Sequence, residues 1–97
     1  SLEPSNIDRL KVLAGFLIDN NRNLDEAFSL IDRAIGLATS PYSYYECMDL
    51  KGRCLLKQGR NSEALEVLEY AYNSTPYKVW FIYSDLLKAR EAVASLK

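Results

Sequence analysis

The 97-residue chain contains no histidine. That removes the commonest general base and the commonest transition-metal ligand. Its two cysteines, Cys47 and Cys54, have neither a CxxC spacing nor a histidine partner, so zinc binding and thiol catalysis lack support. Seven residues apart on a predicted helix, they lie about 10.5 Å apart along its axis, beyond the roughly 7 Å that a disulfide spans. They read as small buried hydrophobes in a reduced chain. No glycine-rich phosphate loop is present. Carboxylates are plentiful, but they are expected on outward helix faces rather than paired on a core-facing one. The chain is therefore read as no enzyme, with no cofactor and no metal.

Charge of one sign is also missing. Twelve basic residues against thirteen acidic ones give a net charge of -1, which offers no field to draw a nucleic acid. Charged residues break every apolar run short of the roughly 18 residues a membrane span needs. The chain begins Ser1-Leu2 without methionine or a signal peptide and is read as a piece of a longer protein. Its unpaired cysteines favour the cytoplasm.

What is present is helical periodicity. With 48% hydrophobic residues the chain can bury one modest core, read as a single domain over residues 3–97. Ser5 or Asn6 caps a first helix with Ile7, Leu10, Leu13, Ala14, Leu17 and Ile18 on one stripe, ending near Asn20-Asn21. Asn23, with Glu26 as its capping-box partner, opens a second, whose face is Leu24, Ala27, Phe28, Ile31, Ala34, Ile35 and Ala38. Thr39-Ser40-Pro41 reads as a break, and Ser43 with Glu46 as the capping box of a third helix that Gly59 ends. Asn61 or Ser62 starts a fourth, which turns Ala64, Leu65, Val67, Leu68, Ala71 and Tyr72 inward. Thr75-Pro76 opens a fifth that runs from Tyr77 toward Leu96. Short connections make consecutive helices antiparallel neighbours.

Gly15, Ile18, Ala27, Ile31 and Ala34 recur 37 residues on as Gly52, Leu55, Ala64, Leu68 and Ala71, with Pro76 closing the second copy. Periods of this size signal stacked helical repeats. The second copy resembles the tetratricopeptide repeat in Gly52, Ala64 and Pro76, with Met48, Lys51, Leu55 and Leu68 at its aromatic, leucine, tyrosine and phenylalanine places. The first copy keeps Gly15 and Ala27, puts Lys11 and Ala14 at the aromatic and leucine places, and from Leu13 through Ala27 looks like a bacterial variant. The family's usual period is 34 residues, so the connection around Thr39 to Tyr45 is expected to be longer. The resemblance implies an all-α, right-handed superhelix of five antiparallel helices. Repeat one would cover about 6–40, repeat two about 43–76, and a capping helix about 77–96.

In that family the first helices of successive repeats line a concave groove that holds a peptide or helix of a partner. Carried over, the wall is Arg9, Val12, Phe16 and Asp19, then Glu46, Asp49, Arg53, Leu56 and Lys57, then Trp80, Tyr83, Leu87 and Arg90. Val12 and Phe16 stand where the clamp for acidic chaperone tails has lysine and asparagine, so that clamp is not expected. The Tyr42, Tyr44 and Tyr45 cluster is read as local packing. The implied function is a protein-interaction scaffold, with a structural spacer or dimerisation module as the alternative. The small residues have a mechanical role that needs no family, since they let two helices approach closely. Ala64→Leu or Ala71→Leu is expected to overpack that crossing and cost about 1 to 3 kcal/mol in a denaturant melt.

Overall fold

A computed structural model describes residues 6–75 and 80–95. Among these the chain is all-α, with α1 (Ile7–Asp19), α2 (Leu24–Leu37), α3 (Pro41–Lys57), α4 (Asn61–Ser74) and α5 (Trp80–Ala94) and no strand. Asn6 caps α1 by accepting from the Arg9 amide at 3.2 Å. The chain leaves α1 through Asn20, and Asn21 takes the left-handed conformation at φ 52° that asparagine tolerates. Gly59, at φ 78°, does the same after α3.

One expected helix start and one expected cap are corrected. Pro41 is the first residue of α3, not a break before it, and Ser40 is the cap, its hydroxyl accepting from the Ser43 amide at 3.2 Å. A proline fits there because the first helical amide needs no partner and the fixed φ suits the helix. The residues assigned to a long connection thus add a turn to α3, and Glu46 is freed from capping. Asn23 precedes α2 as expected but has a left-handed backbone, and its side chain makes no cap hydrogen bond. The expected start of the last helix, from Pro76 to Val79, lies outside the described residues.

Long-range contacts fix the helix directions. Leu10 clusters with Ala34, whereas Leu17 and Ile18 cluster with Ala27, so α2 runs back along α1. Gln58 bonds Asp25 at 3.2 Å and Lys51 pairs with Asp32 at 3.5 Å, which sets α3 antiparallel to α2. The Tyr45 hydroxyl donates to the Ser74 carbonyl at 3.0 Å, tying the start of α3 to the end of α4. Arg90 lies 3.8 Å from Glu69 while Tyr83 stacks on Tyr72, so α5 returns along α4. Lys11 with Glu46, and Asp19 with Arg53, align α1 and α3 in the same direction. Helix α3 also touches α5, whereas among the described residues the backbones of α2 and α4 do not approach each other. Thus α1, α3 and α5 lie side by side, with α2 and α4 set into the angles between them.

Of the residues the periodicity marks, Leu10, Ala14, Leu17 and Ile18 on α1, Ala27, Ile31 and Ala34 on α2, and Ala64, Leu68 and Ala71 on α4 are buried, whereas Leu13, expected on the α1 stripe, is exposed because it lies off the face that α2 covers. Cys47 and Cys54 are buried free thiols, and burial raises the pKa of both. The two glycines that match across the sequence are not equivalent in space. A methyl group built on Gly52 would lie 2.9 Å from Leu68 Cδ1 and closer still to its Cγ, whereas one on Gly15 would meet only Leu50 Cδ2 at 3.9 Å. On α1 it is Ala14, fully buried, that sits in the core. Gly52→Ala should therefore destabilise the fold by about 1 to 3 kcal/mol through overpacking. Gly15→Ala should stabilise it by about 0.5 to 1 kcal/mol, because alanine is the better helix former. Paired urea titrations read both signs.

Candidate functional site

Three parallel helices with side chains of unequal length leave a groove, and α1, α3 and α5 enclose one of about 790 Å³. Its walls carry Val12 on α1, Tyr42 on α3, and Trp80 and Phe81 on α5. Val12 is 73% and Trp80 78% exposed, while Phe81 is half-buried with its ring edge-on to both Tyr42 and Trp80, at 6.5 and 6.4 Å. Trp80 is thus a rim residue.

The expected groove residues divide. Val12, Glu46, Asp49, Arg53 and Trp80 line the groove. Arg9, Phe16 and Asp19 are exposed on α1 outside its lining, although Asp19 holds the Arg53 guanidinium from there. Leu56 packs on the core around Leu55, Leu68 and Leu86. Lys57 belongs to a separate depression near the α1–α2 turn, with Asn21, Asn23, Asp25, Glu26 and Arg60. Tyr83 and Arg90 turn toward α4, where they meet Tyr72 and Glu69, and Leu87 is exposed off the groove. The wall that α5 supplies is Trp80, Phe81, Ser84, Asp85 and Lys88 instead.

The polar floor is the part that sequence reasoning missed. Asp49 and Asp85 are 4% and 8% exposed and face each other across the α3–α5 contact. Carboxylates were expected only on outward faces, and this pair corrects that. The signal was available in α5, because Ile82, Asp85, Leu86 and Ala89 share one stripe, all four are buried, and a carboxylate on such a stripe needs a reason. Burial, then the hydrogen bond and the charge of Asp85, push the Asp49 carboxyl up to about 9, against the pull of Arg53 and Lys88. Asp49 Oδ1 is buried with no hydrogen-bond partner.

Each cation of the groove is already engaged. Lys11 lies 2.8 Å from Glu46 and 3.6 Å from Asp8, Arg53 is held by Asp19, and Lys88 lies 3.7 Å from Asp85. Burial works against the Lys11 charge, yet Glu46 and Asp8 hold its pKa above the usual lysine value. Among the described residues, no group of histidine, cysteine or carboxylate side chains is arranged to hold a metal ion, and no helix is long and apolar enough to cross a membrane. No family model, curated protein or solved structure matches the chain.

The raised Asp49 carboxyl makes stability depend on pH. Folded Asp49 keeps its proton up to about pH 9, whereas the unfolded side chain loses it near its ordinary value of 3.8. Between those values the native state binds more protons, so stability falls as pH rises, by up to about 1.4 kcal/mol per pH unit. Asp49→Asn, which mimics the neutral acid, should flatten the dependence between about pH 5 and pH 8 in urea melts at stepped pH.

Proposed function

We propose that the chain is a protein-interaction scaffold that holds an extended segment of a partner polypeptide in the groove between α1, α3 and α5. The observation that carries this reading is the groove's lip, where Val12, Tyr42 and Trp80 stand in water beside a cleft of about 790 Å³. Aromatic side chains are the commonest anchors of protein interfaces, and leaving them solvated forgoes burial worth roughly 1.5 to 3 kcal/mol for a large side chain.

The repeat reading supports it. Leu10, Leu17, Ile18, Ala27, Ile31 and Ala34 are buried, and so are Cys47, Cys54, Leu55, Ala64, Leu68 and Ala71, each 37 residues further on. Such recurrence is what two stacked helix pairs of tetratricopeptide type, wound into a right-handed superhelix, require, with α5 as the capping helix. The side-by-side run of α1, α3 and α5 agrees with first helices lining one face. A binding module of this kind is no enzyme.

Self-association is a second reading, favoured by the exposed Val12, Leu13 and Phe16 on α1. One selection separates the two. A random dodecapeptide library displayed on phage and panned on the immobilised protein should yield peptides that a Val12→Asp, Trp80→Ala double variant no longer captures. Equal capture by that variant would overturn the groove assignment. An empty selection, together with a concentration-dependent dimer in sedimentation equilibrium, would replace it with self-association.

A further inference from the structure

We propose that Asp49 and Asp85 form a receptor for one basic side chain, lysine or arginine, of the polypeptide that the groove holds, and that a proton leaves the pair as that side chain enters. This rests on the scaffold reading above and names the chemistry its occupant must carry.

Four observations converge on it. Both residues line the groove, Asp49 more than nine-tenths buried and Asp85 nearly so, with Asp85 bonded to Asp49 on one side and paired with Lys88 on the other. Asp49 Oδ1 has no hydrogen-bond partner, which in a buried site is an acceptor left open. The cations around it are committed elsewhere, Lys11 to Glu46 and Asp8, Arg53 to Asp19 and Lys88 to Asp85, so none occupies that acceptor. The entrance is flanked by Tyr42, Phe81 and Trp80, whose ring faces attract a cation on its way in.

The proton balance follows from the geometry. In the empty groove two carboxylates cannot both ionise at close range, and Asp49 stays protonated because burial and Asp85 disfavour its anion. An entering ammonium or guanidinium supplies the counter-charge, the Asp49 O–H bond breaks, and its proton passes to solvent. The carboxylate then accepts hydrogen bonds from the cation. Of the charged groups facing the site, Asp8 and Lys11 from α1, Glu46 and Arg53 from α3 and Lys88 from α5 each have an ion-pair partner already, that of Lys88 being Asp85 itself. A protonated Asp49 that only fastens α3 to α5 has no such exchange.

The test uses the peptides recovered by groove-dependent panning. Their alignment should show lysine or arginine at one fixed place. Titration calorimetry of one such peptide in two buffers of different ionisation enthalpy should give a release approaching one proton per complex, and affinity should rise about tenfold per unit between pH 6 and pH 8. Replacing the basic residue by citrulline or norleucine should remove both the pH dependence and most of the affinity. Asp49→Asn, verified as folded by circular dichroism, should do the same from the protein side. Groove-dependent peptides without a fixed basic residue, or binding with no proton released, would overturn the receptor while leaving the scaffold intact. The citrulline and norleucine peptides decide the matter even if Asp49→Asn fails to fold.

Discussion

No helix of this chain has a core of its own. Each buries its apolar stripe only by lying against its neighbours, and α3 touches all four others. At Gly52 one of these approaches is close enough that Leu68 lies directly on the α3 backbone. Moving α4 outward there would also displace α5, because Leu55, Ala64, Leu68, Leu86 and Ala89 form one cluster. The groove depends on the same contact from its far side, since Asp49 and Arg53 flank Gly52 within a single turn. Packing on one face of α3 therefore sets the geometry of the chemistry on the other.

Much of this was legible in the residues because helices announce themselves by spacing. Apolar residues three and four apart placed all five helices, and alanine at 27, 34, 64 and 71 marked the crossings. Where local chemistry is ambiguous the reading went astray. Pro41 breaks a helix in one position and begins it in another, and the cap at Ser40 decides which. Asn23 is equally at home as a cap and in a left-handed turn, and here the turn prevails.

The groove wall was legible on α3, at Glu46, Asp49 and Arg53, and at a single residue each on α1 and α5, Val12 and Trp80. Spacing tells which residues share a face, but the rotation of a terminal helix is set by what lies on one side of it only. Tyr83 finds Tyr72 and Arg90 finds Glu69, and those contacts bring Asp85 rather than Leu87 toward α3. The aspartate pair escaped notice for a related reason. Asp49 and Asp85 are 36 residues apart, and nothing local to either marks the other as its partner. Both break the rule that core-facing positions are apolar, and such departures gather where a fold is kept for use.

Trp80 is the chain's one tryptophan, and it stands almost fully in water at the edge of the groove. An indole so placed emits at the long wavelengths of a hydrated ring, and any occupant that covers it moves the emission to the blue. The fold thus carries an intrinsic optical reporter at the place where a partner would arrive, and the filling of the groove can be followed without a label.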